Sequence, residues 1–567
     1  MDFIRILIKE IIRNKIKDTS ELLKLRNDLT KKHKPKEIPS LIKIFLNANE
    51  NERKILSKII KVKPTRSISG VIPVAIMTKP YRCTNKERCI YCPGGLNSAF
   101  GNVPQSYTGN EPASMRAIRN NYDPYLQVFN RLEHYVILNH AIDKVELIIM
   151  GGNFNSLPKK YKEEFVKYSF KALNDFSKLF FNKGDFNYSK FIDFFELKKE
   201  FKDPLRTKLI QDRLKRLKGT CELKREQAKN ENSKIRCVAL CLENRPDYCK
   251  KKDIGEMLKL GCTRVEIGVQ SIYNDVLKKV KRGHKVEDTI KAIRDLKDCG
   301  FKVSIHYMPG LPGVNKKRDL EGMKQLFKNE NFKPDMLKIY PCMVSKGTKL
   351  HDLYKKKQFN PLTTEEAAEL IVKFKRYIPV YCRVQRVQRD IASKFLEAGV
   401  NITNLRQYIH DNYNFNCNCI RCREIGHALN KDKNLKLGKI KILVKRYNAS
   451  KGGEFFISAE DIKNNIIYGY CRLRFPFQIL RGEIRKNSSL IRELHVYSSA
   501  ISMGKTSKSS FQHRGLGKLL LKKAEEISKE HEKDKIIVIS GVGAREYFKK
   551  LGYEREGPYM VKFVSKR

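Results

Sequence analysis

Between residues 65 and 345 short apolar runs alternate with longer amphipathic stretches. The runs at 71–77, 145–150, 236–242, 264–269, 302–307 and 336–340 are predicted strands. The segment 287–300 (EDTIKAIRDLKDCG) places apolar residues three and four apart and closes on a glycine, which predicts a helix. Repeated strand-then-helix units imply an α/β fold with a parallel sheet, open or curled into a barrel, and functional residues at the strands' C-terminal ends. Glycines, charged residues and cysteines do fall there: a three-cysteine loop after the first run, MGGNF after the second, ENRPDYC after the third, QSIYNDV after the fourth and MPGLPG after the fifth.

Around this unit the pattern changes. Residues 1–62 read as basic helices, and 156–234 as a charged, helix-rich insertion whose lysines form a solvated layer outside the sheet. A connector covers 346–435. From 436 to 567 several runs alternate as neighbouring antiparallel strands. A glycine-rich turn, QHRGLG at 512–517, then opens a helix. Backbone N–H groups at such a helix start can cradle a pyrophosphate.

Charge adds a partner. With 116 Lys+Arg against 62 Asp+Glu in 567 residues the formal charge is +54, spread along the whole chain. That excess fits a polyanion, of which nucleic acid is the commonest. No stretch approaches the roughly twenty apolar residues of a membrane span, and residues 1–17 lack the apolar core of a signal peptide, so a cytoplasmic protein is expected. In that compartment the fifteen cysteines are metal ligands or buried thiols before they are disulfides.

Two cysteine clusters carry chemistry. Cys83, Cys89 and Cys92, in RCTNKERCIYCPGG, are too few to close a tetrahedral zinc site, but they can hold three irons of a four-iron cluster and leave the fourth open. Cys417, Cys419 and Cys422, in CNCIRC, predict a zinc site. Cys342 is the first choice for its fourth ligand, with His410 and Cys382 as alternatives. The arginines of RVQRVQRD (383–390) could pair with phosphates or with carboxylates.

The motifs CIYCPGG, MGGNF, ENRPDYC and VEIGVQS, followed by RVQRD, RELHVYS, QHRGLG, GVGAREYFKKLGY and EGPYMVK, together resemble the family of Elongator catalytic subunits. That resemblance runs from about residue 65 to the C-terminus. It implies a radical S-adenosylmethionine (SAM) partial (β/α) barrel, a small zinc-binding connector and a GNAT acetyltransferase domain. It implies Cys83, Cys89 and Cys92 as ligands of a 4Fe-4S cluster, with Gly151, Gly152, Glu243, Arg245 and Gln270 facing SAM. Gln512, Arg514, Gly515 and Gly517 would bind acetyl-CoA, Tyr547 would lie near the thioester, and Glu454 and His495 would help water attack it. The implied reaction carboxymethylates C5 of the wobble uridine of tRNA: a SAM-derived radical takes hydrogen from the acetyl methyl, the carbon adds to C5, and thioester hydrolysis leaves the carboxymethyl group. The first cysteine gap is five residues where radical SAM loops commonly have three, a lengthening this family shares; Asn153 stands where a smaller polar residue is expected. Two rival readings are a protein lysine acetyltransferase with a structural cluster and a noncatalytic tRNA-binding scaffold.

Overall fold

The structure is a computed structural model that describes residues 3–60, 62, 64–197, 199, 203–432, 434–497 and 515–564. Four helices come first, α1 (Phe3–Arg13), α2 (Thr19–His33), α3 (Leu41–Asn47) and α4 (Glu50–Ile59). They bury a core of their own around Leu7, Ile11, Phe45 and Leu56. Asn139 Nδ2 then donates to the carbonyls of Ser57 and Ile60 at 2.7 and 2.6 Å, fixing α4 to the next domain.

That domain is built on seven parallel strands in sequential order: β1 (Ile72–Met77), β2 (Lys144–Met150), β3 (Arg236–Asn244), β4 (Arg264–Gln270), β5 (Lys302–Tyr307), β6 (Met336–Ile339) and β7 (Arg383–Arg386). β1 and β7 are the two edges, so the sheet is a half-barrel. Six strands fall at the apolar runs. The seventh lies in the stretch expected as connector, and its sequence hides it: RVQR has one apolar residue, Val384, and only that side chain is buried. Helices α5 (Pro112–Arg119) and α6 (Pro124–Ile137) connect β1 to β2.

The insertion differs from the solvated layer expected of it. Its helix α7 (Lys159–Phe180) buries Phe165, Phe170, Phe176 and Phe180. Phe180 packs against Phe191 and Phe195 at ring distances of 5.5 and 5.7 Å. Lys159, Lys160 and Lys178 do face water, but Lys162 is buried and pairs with Glu256 at 2.6 Å, and aromatic residues recurring at helical spacing give the segment its own apolar core.

The C-terminal half is a second seven-stranded sheet: β8 (Ile440–Ala449), β9 (Gly452–Asp461), β10 (Ile466–Phe475), β11 (Ser488–Val496), β12 (Lys535–Val538), β13 (Glu554–Glu556) and β14 (Tyr559–Phe563), in the order β8-β9-β10-β11-β12-β14-β13. Its strands pair antiparallel except β11 with β12, which are parallel. A helix, Leu516–Glu530, lies between those two in the chain.

This sheet docks on the N-terminal ends of the half-barrel strands through buried charge. Asp335, just before β6, takes both guanidinium nitrogens of Arg492 at 2.7 Å. Glu454 accepts from Arg474 at 3.0 Å and from Arg492 at 2.7 Å, and Asp298 accepts from Arg474 at 2.6 Å. All five residues are fully buried. The turn after β12 presses on β3 so closely that a Cβ on Gly541 would lie 2.0 Å from the Val238 carbonyl oxygen, which only glycine allows.

Candidate active site

One cavity of about 650 Å³ runs through the half-barrel from the three-cysteine loop at the strands' C-terminal ends to His495 on β11 at the other end. At the upper end the cysteine loop is tied down by arginines of neighbouring loops. Arg245 donates to Asn85 Oδ1 and, at 3.0 Å, to the Gly283 carbonyl, while Asn85 Nδ2 donates to the Arg282 carbonyl at 3.0 Å. Arg282 Nη1 lies 3.8 Å from Cys89 Sγ, and the Ser106 N–H donates to Cys92 Sγ at 3.3 Å. Burial, with the nearby Cys89, pushes the Cys92 thiol up; a bound iron would reverse that by stabilising the thiolate.

The turn after β2 faces this loop. Gly151 and Gly152 have φ of +138° and +95°. A Cβ on Gly151 would lie 2.1 Å from Thr78 Oγ1, and one on Gly152 would lie 3.1 Å from Gln105. Glu243, at the end of β3, accepts from both of these N–H groups at 3.2 and 3.4 Å and from the Tyr107 hydroxyl at 2.9 Å. Gln270 ends β4 in a left-handed conformation, φ +68°, with its buried Oε1 lacking a partner among the described residues. Three thiols, a glycine pair whose N–H groups are held by a carboxylate, and an orphaned amide oxygen thus line one space. The donor set fits a 4Fe-4S cluster and an amino-acid-bearing ligand: each cysteine would bind a different iron, so the sulfurs need not converge.

The second cysteine trio is built differently. The sulfurs of Cys417, Cys419 and Cys422 lie within 4.8 Å of one another, the only such group among the described residues. Hydrogen bonds from Cys417 and Cys422 hold the Cys419 thiol well below its usual range, and Lys375 Nζ sits 3.8 Å from Cys422 Sγ. Cys342, the first choice for a fourth ligand, is not there. It is buried with Cys89 and Tyr91 at the opposite cysteine loop, because the turn after β6 is held against the turn after β5 by the Cys342 N–H donating to the Pro309 carbonyl at 2.8 Å. Cys382, whose carbonyl accepts from the Ile420 N–H at 2.9 Å, is the thiol beside Cys419, while His410 packs on the Phe415 ring at 5.2 Å.

At the lower end His495 Nε2 is 3.3 Å from the Ser69 carbonyl, which can only accept. Nε2 therefore carries the proton and Nδ1 the lone pair. Burial lowers the His495 pKa to about 4, so the ring is neutral at pH 7. Beside it Glu493 accepts from Tyr470 at 2.8 Å and from Arg472 at 2.9 Å, and pairs with Lys302. Glu454 does not reach this space: both its oxygens are bound by arginines in the buried interface. Gly515 and Gly517 begin the helix Leu516–Glu530, and a Cβ on Gly517 would lie 2.7 Å from the Tyr547 hydroxyl, placing that phenol at the helix start. Gln512 and Arg514 lie outside the described residues.

Sequence reasoning missed the middle of the cavity. Glu266, fully buried on β4, bonds Arg264 at 2.8 Å, His306 at 3.2 Å and Lys338. Tyr107, Arg282 and Glu493 were missed as well. They stand on different elements in no common motif; Glu266 and Glu493 showed only as acidic residues within largely apolar strands, and Tyr107 and Arg282, in loops, carried no such signal.

A half-barrel carrying a three-cysteine loop, joined to an acetyltransferase-type sheet, defines the class: a radical SAM domain fused to a GNAT acetyltransferase domain. Family profiles agree, matching the ELP3 N-terminal domain at residues 1–68, the radical SAM superfamily at 77–326, the radical SAM C-terminal domain at 334–414 and the GNAT acetyltransferase domain at 500–562. The chain is 44% identical over 530 residues to the tRNA uridine(34) acetyltransferase of Methanocaldococcus infernus, covering 92% of this chain and 91% of that one. It is 38% identical over 551 residues to Elongator complex protein 3 of Saccharomyces cerevisiae, covering 94% and 90%. A solved structure of the archaeal M. infernus Elp3, lacking residues 1–46, matches with a TM-score of 0.70 at 39% identity over 88% of this chain and 100% of that one. The chain belongs to the Elongator complex protein 3 family and is an enzyme with radical SAM and GNAT domains. Those domains imply a 4Fe-4S cluster, SAM and acetyl-CoA. Among the described residues no helix is long and apolar enough to cross a membrane.

Proposed function

We propose that this enzyme carboxymethylates C5 of the wobble uridine of tRNA, joining the acetyl methyl carbon of acetyl-CoA to the base. The observation that carries the reading is the single cavity linking the cysteine loop to the acetyltransferase sheet: a group delivered at the lower end can reach chemistry at the upper end without leaving the protein. Cys83, Cys89 and Cys92 would hold the cluster, and Gly151, Gly152, Glu243 and Gln270 would hold the amino-acid part of SAM. When bound, these groups supply a radical that removes hydrogen from the acetyl methyl. Arg245 pins the cysteine loop. Gly515 and Gly517 would present backbone N–H groups to the pyrophosphate of CoA, with Tyr547 beside them. Nδ1 of His495 would take the proton of the water that attacks the thioester, and the ion-paired Glu493 fixes that wall of the cavity. Glu454 is given a structural role. Cys417, Cys419 and Cys422 would hold zinc, its fourth position supplied from outside the trio or left to water.

The test is an anaerobic incubation of reconstituted enzyme with SAM, acetyl-CoA and tRNA, followed by nucleoside mass spectrometry. The expected product is 5-carboxymethyluridine at position 34, absent when acetyl-CoA is left out. Unmodified tRNA together with acetylated lysines in an added protein would establish a lysine acetyltransferase instead.

A further inference from the structure

A second cavity, of about 350 Å³, lies where α3, α5, α6 and the helix Pro204–Lys218 meet. Arg66 and Arg119 line it, and Arg66 also borders the main cavity, with Thr65 and Ser69. Arg116 and Arg131 stand behind them. None of these four arginines forms a salt bridge with a carboxylate among the described residues. The carboxylate in the cavity wall, Glu133, is bonded by Arg206 at 2.5 Å and lies within electrostatic reach of Arg119, so one carboxylate is shared between two arginines.

Each guanidinium raises the energy of its neighbours. Arg116 is 6% exposed, and its pKa is pushed down to about 9 by burial and then by Arg131, Arg119 and Arg66. Arg66 is lowered in the same way by burial and Arg131, and His134, facing the group from α6, is lowered to about 4 by burial and by Arg116, Arg131 and Arg119. Parts of the quartet are structural: Arg116 Nη2 donates to the Ala75 carbonyl on the edge strand β1 at 2.7 Å, and Arg131 donates to the Tyr135 hydroxyl at 2.7 Å. Yet Nε of both is buried without a partner, and Arg66 and Arg119 make no side-chain hydrogen bond among the described residues. Like charges crowded in a low-dielectric wall are unfavourable unless an anion completes them.

We propose that this quartet seats a backbone phosphate of the RNA strand whose nucleoside enters the main cavity. This rests on the tRNA reading above and adds the point where the strand is gripped. A phosphate in the second cavity would share Arg66 with the reaction space, so the grip sets how far a nucleotide reaches in. Arg66 and Arg119 supply the contacts, while Arg116 and Arg131 hold the local potential positive.

The test compares full-length enzyme, the double variant Arg66→Gln/Arg119→Gln and a control of equal charge loss, Lys522→Gln/Lys529→Gln, whose lysines are exposed on the acetyltransferase helix. Binding of a fluorescent anticodon stem-loop RNA is measured as a function of salt. The expected result is about tenfold weaker binding of the arginine variant at 0.1 M salt and a log–log salt slope shallower by about one, the mark of a lost phosphate contact, with the control within about twofold of the parent. Circular dichroism confirms that the partly exposed arginines can be replaced without unfolding. Calorimetry with inorganic phosphate separates the sources: phosphate binding lost in the variant while RNA affinity and slope match the control would overturn the assignment in favour of a small phosphorylated ligand. Equal behaviour of variant and control toward both probes would remove the site. Failure of the parent enzyme to bind the stem-loop would remove the tRNA reading itself, and this grip with it.

Discussion

At the scale of single residues, the site depends on backbone positions as much as on side chains. Gly151 combines a φ of +138° with a hypothetical Cβ 2.1 Å from Thr78 Oγ1. Gly151→Val is therefore strained by about 1–3 kcal/mol and moves the N–H that Glu243 holds. SAM affinity, measured by equilibrium dialysis on the reconstituted protein, should fall at least tenfold; unchanged affinity would remove this turn from the site. Asp319 makes a different point. Its carboxylate accepts from the Gly310 N–H at 2.6 Å, and burial raises its pKa from 3.8 to about 7. Between those values the folded chain binds the proton and the unfolded chain does not, so this group's contribution to stability falls as pH rises from about 4 to 7 and is flat above. Asp319→Asn removes the titration and keeps an acceptor for Gly310. The variant's advantage in thermal unfolding should grow across that window, to roughly 4 kcal/mol at most, and a gap that does not change with pH would contradict it.

Elements show which sequence signals were sufficient. Six half-barrel strands could be read because each buries several apolar residues, at alternate positions in β2 and β5 and in a nearly continuous run in β3. β7 could not, since an edge strand of four residues with two arginines and a glutamine carries no such run. The cysteine clusters were legible as chemistry, but the ligand between them was not: Cys342 belongs to the far loop because the turns after β5 and β6 pack together. The trio itself makes a prediction on the scale of this loop. With three sulfurs within 4.8 Å, purified protein should carry close to one zinc per chain by elemental analysis, and Cys419→Ser should lose most of it while the iron content stays unchanged. Zinc that survives this substitution would place the metal elsewhere.

For the whole molecule, the governing fact is how the two sheets are joined. Arg492 bridges Asp335 and Glu454, both fully buried, with Arg474 and Lys297 completing the charge balance. Arg492→Ala removes the two-pronged partner of Asp335 and one of the two arginines on Glu454, leaving Arg472, Arg474 and Lys297 as weaker compensation; it should cost about 3 kcal/mol, seen as a lower unfolding midpoint and as earlier proteolysis between the domains. A loss below about 1 kcal/mol would mean that Arg492 is dispensable and that the remaining pairs and apolar contacts hold the sheets together. Glu454 illustrates why sequence reasoning misplaces such residues: a glutamate on a strand reads the same whether its oxygens face water or two guanidinium groups.

The sequence by itself determined the class of the protein. Local patterns such as apolar runs, cysteine spacing and glycine turns are written in neighbouring residues, and they pointed to the radical SAM and GNAT domains and to the candidate cluster cysteines. Only the tertiary structure decided that one cavity spans both domains, that His495 faces it while Glu454 does not, and that Cys342 lies apart from the trio. Each of these depends on which distant strands and turns are packed together, and the physics of burial and charge pairing acts on that arrangement rather than on residues adjacent in the chain.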